Sequence, residues 1–259
     1  MPGTEFSDSQ NPFRAVIENR SGRHDILLVC EHASAHIPEA WGDLGLSETA
    51  RYAHIAWDPG ALDVARHLSR KLDACLVSAP ISRLVYDLNR APDQDSAMPA
   101  RSEVFDVPGN RAISVDERMR RTRLVYTPFH DDLHREIARR IAMGRRPVLV
   151  TVHSFTPVYH GQRREVEFGV IHDADPLLAR QVVACAPKGV KTALNAPYSA
   201  TDGVTHTLRL QANPYGLMNV MLEIRNDLIA TPDAAAAFAD GLATCLQNAV
   251  AGVHQVGAA

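Results

Sequence analysis

Apolar residues along this chain form short continuous runs closed by polar groups, and these alternate with stretches whose apolar positions recur at helical period. Asp25-Ile-Leu-Leu-Val-Cys30 is the first run, and it stops at Glu31-His32-Ala33-Ser34, which predicts a buried central strand opening into a loop. Beyond Pro59, the spacing of Ala61, Leu62, Ala65, Leu68 and Leu72 predicts a helix, with Asp58 at the N-cap and Pro59 at the first helical position. Cys75 to Ala79 reads as a second strand and Leu84-Val-Tyr86 as a short third. From Ser114 to Met143 runs an Arg-rich helical region, kinked at Pro128 and closed by Gly144. Pro147-Val-Leu-Val-Thr-Val152 then repeats the first unit, ending in His153-Ser154. Further strands are expected at Glu167 to Ile171, Val190 to Leu194 and Leu217 to Ile224, and helices at Pro176 to Cys185 and Pro232 to Val253.

Strands alternating with helices predict an α/β fold whose largely parallel sheet is covered on both faces. With 259 residues, one core is the default. We expect a flexible N-terminal segment at 1–24, a single catalytic domain over 25–253 and a short tail at 254–259. Between Ala91 and Arg111 lies a loop full of Pro, Asp, Ser and Gly, long enough to suggest a lid or binding loop.

Composition narrows the partners. Lys and Arg total 27 against 30 Asp and Glu, a net charge of −3 that supplies no global pull toward nucleic acid or anionic lipid. The apolar runs are far shorter than the about 20 residues of a membrane span. The polar N-terminal stretch has no apolar signal core, so a cytoplasmic location is expected. Cys30, Cys75, Cys185 and Cys245 are spread without a CxxC pair, as suits reduced thiols. A small-molecule substrate fits this profile best.

In parallel sheets, ligands bind beyond the carboxyl ends of strands. Those ends deliver Glu31-His32, His153-Ser154, and Glu223 with Arg225, and the helix start at Asp58 faces the same edge. Two histidines and a carboxylate, His32, Asp58 and His153, are the donor set of a catalytic zinc site with one position open. Such a centre needs a separate carboxylate as general base, and Glu223, after the apolar run Val220-Met-Leu222, has the burial that raises a pKa into the working range. Arg225 would pair with Glu223 or clamp a substrate carboxylate. Asn89 and Arg90, at the mouth of the long loop, are candidates for the same task; Arg83 is either a further contact or the ion-pair partner of Asp87.

Each choice has a structural rival. Either histidine alone could be a hydrogen-bonded loop residue, and Asp58 could be only a helix cap. His130-Asp-Asp-Leu-His134 places two histidines at i and i+4, but Asp131 stands where a HExxH site needs Glu, so a structural role is expected there. Cys30 precedes Glu31 on a strand whose side chains alternate, which argues against a thiol nucleophile paired with His32.

The segments Cys30-Glu-His-Ala-Ser34, His54-Ile-Ala-Trp-Asp-Pro-Gly60, Ser82-Arg-Leu-Val-Tyr-Asp-Leu-Asn-Arg90, Val152-His-Ser154 and Leu222-Glu-Ile-Arg-Asn-Asp-Leu228 together resemble the N-formylglutamate amidohydrolase family, over roughly Asp25 to Val250. The resemblance implies a three-layer αβα sandwich of the phosphorylase/hydrolase type around a mostly parallel mixed sheet. It implies zinc-dependent hydrolysis of an N-acyl amino acid, best matched by N-formyl-L-glutamate. His32, Asp58 and His153 correspond to metal ligands, Glu223 to the general base, and Asn89, Arg90 and Arg225 to substrate contacts. Two other readings of such a chain are a peptidoglycan-type zinc amidase and a non-catalytic binding protein of the same fold.

Overall fold

The computed structural model describes residues 11–256, so residues 1–10 of the expected N-terminal segment and 257–259 of the tail lie outside it. A seven-stranded sheet, ordered β1-β3-β2-β6-β11-β9-β10, forms the middle layer. Its strands are β1 (Val16–Glu18), β2 (Ile26–Cys30), β3 (Cys75–Ser78), β6 (Val148–Phe155), β9 (Phe168–Ile171), β10 (Thr192–Leu194) and β11 (Asn219–Arg225). Two hairpins, β4 (Arg101–Ser102) with β5 (Phe105–Asp106) and β7 (Val158–Tyr159) with β8 (Gln162–Arg163), stand apart from the sheet.

Strands β3, β2, β6 and β11 run parallel, which brings their carboxyl ends to one edge; β1 and β9 pair antiparallel with β3 and β11. The mostly parallel sheet is the one expected from the alternating pattern, and its mixed character the one the resemblance implied. Side chains of period two split the core between its faces. Ile26, Leu28, Val150, Val152, Leu222 and Ile224 pack against α2 (Ala61–Leu72), α5 (Leu177–Ala184) and α7 (Pro232–Val256). Leu27, Val29, Leu149 and Met221 face the other layer, built on α4 (Thr127–Ala142) through Phe129, Leu133 and Ile137 and on α6 (His206–Gln211) through Leu208. The shorter α1 (Glu48–Tyr52) and α3 (Val115–Arg121) complete the helices.

Four local expectations are revised. Part of the segment expected to be loose is ordered in the sheet, since β1 pairs with β3 in register Ile17↔Val77. Its Val-Ile-Glu triplet carries too little apolar periodicity to stand out. At the other end, α7 runs three residues past the expected boundary at 253. Leu84-Val-Tyr86 is buried but not a strand: Val85 N–H donates to the Ser82 carbonyl and Arg90 N–H to the Asp87 carbonyl, so turns satisfy this stretch. Asp58 is not the cap of α2. The N-cap is Gly60, at φ 80°, where an added Cβ would lie 2.4 Å from the Ile229 carbonyl oxygen. That left-handed residue ends the turn and leaves the Asp58 carboxylate for other partners. Pro128 falls in the first turn of α4, directly after a π-helical turn at Thr122–Tyr126, which is where the helical region departs from regularity.

Candidate metal centre

Sheet register explains why distant residues meet. Glu223 on β11 lies opposite His153 on β6, and the β2–β6 register, matching Val29 to Thr151, continued by two residues brings Glu31 opposite His153 from the other side. Three strand ends therefore present Glu31, His153 and Glu223 in a row on one face. His32 is the second residue past the end of β2, and its carbonyl accepts the N–H of Asp58, which ties the Asp58 turn to the same edge.

His32, Asp58 and His153 are all buried and converge. His153 Nδ1 lies 3.1 Å from His32 Nδ1 and 3.0 Å from Asp58 Oδ2, and His32 Nδ1 lies 3.2 Å from the same oxygen. Four-coordinate sites with bonds of ~2.0–2.1 Å separate their ligand atoms by about 3.3 Å, so this triangle needs only slight opening to hold an ion. Among the described residues no other group of histidines, cysteines and carboxylates converges in this way.

The far nitrogens of both rings are occupied by carboxylates. His32 Nε2 is 2.8 Å from Asp87 Oδ1, and His153 Nε2 is 3.2 Å from Glu31 Oε2. The first contact is an aligned hydrogen bond; the second is an ion-pair contact off the hydrogen-bond direction, which leaves both Glu31 oxygens without an aligned donor. Ionised carboxylates only accept, so the ring protons belong on Nε2 and both Nδ1 lone pairs point at Asp58. Three acceptors facing one another at 3.0–3.2 Å repel unless a cation sits among them. A carboxylate behind each histidine is also the outer arrangement that orients metal-binding imidazoles. The donor set thus fits a divalent metal.

Electrostatics agree. Burial alone would raise the pKa of Asp58, but the neighbouring His32 and His153 rings outweigh it and hold the carboxyl well below its usual range. Asp87 is likewise held well below by Arg83 and then His32, against its burial. Burial opposes a charge on His153, yet Glu31 and Asp58 drive its pKa well above the ordinary value. A field that draws an extra proton onto this ring draws a metal cation equally well. For Glu223 burial wins, pushing its carboxyl up to about 7, and its Oε2 has no hydrogen-bond partner.

A cavity of about 190 Å³ opens over the centre, walled by His32, Asp58 and Glu223 with Arg83, Asn89 and Arg90 among others. The candidate substrate contacts fare differently. Arg90 lines the cavity and, among the described residues, spends only Nη1, on the Asn89 and Gly203 carbonyls. Asn89 lines it too, but its amide donates to the Val204 carbonyl and accepts from Thr207 N–H, pinning that segment to the wall. Arg83 is the internal pair: it donates to Asp87 at 2.6 Å and Asp58 at 3.4 Å. Arg225 is outside the cavity lining and pairs not with Glu223 but with Asp227 at 2.8 Å and Glu167 at 3.1 Å. His130 is a buried structural residue, bonded to the Leu88 carbonyl, and His134 touches Tyr215; neither joins the metal group. The expected loop folds into the β4–β5 hairpin, which puts Ser102 and Glu103 on the cavity wall.

Sequence reasoning assigned no site role to Asp87 or Glu31. The available signal was position: Glu31 directly precedes His32 at a strand end, and Asp87 sits between Arg83 and Asn89 in a buried run. Arg164 and Tyr198 come from irregular chain and Tyr159 from the two-residue strand β7, so none of them carried a periodic signal.

Fold and site together define a class: an α/β protein with a buried group of two histidines and one carboxylate, able to hold a metal ion, at the carboxyl edge of its sheet. Within that class the chain belongs to the N-formylglutamate amidohydrolase family, whose profile matches residues 24–230. Curated relatives include the N-formylglutamate deformylases of Pseudomonas putida, 29% identical, and Pseudomonas aeruginosa, 28% identical, each over 212 residues covering 74% of this chain and 77% of the relative. Among solved structures, the gene product Atu2144 from Agrobacterium tumefaciens is 51% identical with a TM-score of 0.92, covering 96% of this chain and 99% of its own. The N-formylglutamate amidohydrolase of Ralstonia eutropha JMP134 shares the fold at 18% identity and a TM-score of 0.64, over 93% of this chain and 98% of that one. No described helix is long and apolar enough to cross a membrane.

Proposed function

We propose that this protein is a zinc-dependent amidohydrolase that cleaves N-formyl-L-glutamate to formate and L-glutamate, with 25–253 as its catalytic domain. The observation that carries the reading is the convergence of His32, Asp58 and His153 beside a buried, unpartnered Glu223. His32, Asp58 and His153 would hold the ion, which when bound supplies Lewis-acid polarisation of the amide carbonyl and activation of water. The names of the curated relatives favour the formyl group and glutamate as substrate.

The chain's own residues divide the remaining work. Glu223 takes a proton from the attacking water as its oxygen bonds to the formyl carbon, then delivers that proton to the amide nitrogen as the C–N bond breaks. Its elevated pKa suits both directions of transfer. Asp87 and Glu31 keep the two imidazoles oriented, and Arg83 balances the charge of Asp58 and Asp87. The four free thiols support the cytoplasm as the compartment.

Metal analysis of purified protein tests the reading directly: about one zinc per chain is expected, with His153→Ala losing both metal and activity. Full turnover of N-formylglutamate by metal-free protein would overturn it.

A further inference from the structure

Cations around the cavity differ in how much hydrogen-bonding capacity they have already committed. Arg83 and Arg225 are each bound by two carboxylates. Arg164, just after the β7–β8 hairpin, has no carboxylate partner among the described residues. Its guanidinium carbon lies 4.5 Å from the Tyr159 ring centre, 4.9 Å from Tyr198 and 5.3 Å from Phe155. Nη2 donates to the Tyr198 hydroxyl at 2.8 Å, while Nη1 is buried with no hydrogen-bond partner. Rings displace water from a guanidinium without supplying the anion that would satisfy it. The main chain at this point is held on both sides. Arg164 N–H donates to the Pro157 carbonyl at 2.8 Å, and its own carbonyl accepts from Arg225 Nη1 at 3.2 Å. The committed Arg225 thus fixes the place of the uncommitted Arg164.

Arg164 lines an outer basin of about 500 Å³ that shares Arg90, Tyr159, Tyr198 and Val204 with the inner cavity. Arg90 borders both spaces, Arg164 only the outer. In an N-acylglutamate the α-carboxylate carbon stands about 4 Å from the scissile carbon and the side-chain carboxylate carbon about 6 Å. Arg90, which borders the inner cavity, is the candidate for the nearer group, and the outer basin is the space left for the farther one. We infer that Arg164 is the specificity residue of this site, binding the side-chain carboxylate of an acidic N-acyl amino acid through its planar fork. The inference rests on the amide-hydrolysis reading above and deepens it. A forked, partly dehydrated guanidinium distinguishes a carboxylate from its neutral amide more sharply than a hydrated ammonium does.

The test compares kcat/KM for N-formyl-L-glutamate and N-formyl-L-glutamine in the wild type, Arg164→Met and Arg164→Lys. The wild type should prefer the acid, Arg164→Met should lower that preference by roughly 10- to 100-fold, mainly through KM, and Arg164→Lys should fall between. Should Arg164→Met fail to fold, the lysine variant, which keeps a cation against the rings, decides alone. A wild type without preference, or variants that keep it, overturn the role of Arg164 while leaving amide hydrolysis intact. If the wild type hydrolyses neither compound, the functional reading fails, and calorimetry with glutarate and its monoamide settles Arg164 separately. Glutarate binding that is lost in the variants supports the assignment; equal binding, or none in the wild type, refutes it.

Discussion

The Nε2 of His32 lies 2.8 Å from Asp87 Oδ1, and that one contact fixes which ring nitrogen faces the metal group. With the proton on Nε2, Nδ1 presents a lone pair toward Asp58 and His153. Asp87 is in turn held by Arg83 and stays ionised far below neutrality. In the proposed metal centre its role would be to orient His32 and raise its basicity, without touching the ion. Asp87→Asn should therefore weaken zinc binding by about 10- to 100-fold, as loss of a carboxylate behind a ligand histidine does. Chelator competition measures this, and an affinity within threefold of wild type would rule the role out.

As the proposed general base, Glu223 should carry the pH dependence of turnover. A general base works when deprotonated, so kcat/KM should rise with pH along a limb whose midpoint lies at or below about 7, because a cation beside the carboxylate favours its ionised form. Glu223→Gln should retain zinc, lose roughly 10²- to 10⁴-fold in kcat and lose that limb. An unchanged limb in the variant would assign the titration to another group.

How far the site was legible in the sequence depends on what each residue advertises. Buried strands such as Ile26–Cys30 and Val148–Phe155 announce themselves by apolar runs, the second broken only by Thr151 before it reaches His153, and the parallel-sheet rule then points to His32, His153 and Glu223 near their ends. Asp58 was found for a partly mistaken reason, since Gly60 caps the helix. Arg225 misled because strand alternation predicts a face but not which carboxylates await there; Glu167 and Asp227 claim it. Arg164 was invisible for the converse reason. Its importance lies in three rings, Phe155, Tyr159 and Tyr198, brought together from separate segments only by the fold.

His130 makes stability depend on pH in a calculable direction. Burial lowers its pKa to about 4, and its Nε2 contacts the Leu88 carbonyl at 2.9 Å, so the folded protein holds it neutral. As pH falls below about 6.5, the unfolded chain takes up this proton while the folded chain does not, and stability drops until about pH 4. The full effect is about 3 kcal/mol, of which about 2 is already lost at pH 5. Urea unfolding at pH 7 and pH 5 should show a smaller pH difference for His130→Gln than for wild type, by about that amount. Identical differences would mean the ring already titrates in the folded state as it does in the unfolded one.

Gly169 tests whether the backing of Glu223 matters to catalysis. It sits opposite Glu223 in the antiparallel β9–β11 register, and an added Cβ would stand 2.2 Å from the Ala196 carbonyl oxygen and 3.2 Å from Glu223 Cβ. The first contact is impossible without movement of backbone two residues before Tyr198, on the cavity wall; the second presses on the base itself. Overpacking of this kind costs about 1–3 kcal/mol. Small displacements of a reacting group also cost rate out of proportion to their size, so Gly169→Ala should lower kcat/KM by at least about 10-fold while zinc content stays near one per chain. The proposed metal ligands lie on other segments, which is why the two readouts should separate. Loss of zinc together with activity would instead show that β9 supports the whole centre, and wild-type kinetics in a stable variant would show that the Ala196 segment yields without consequence for Glu223.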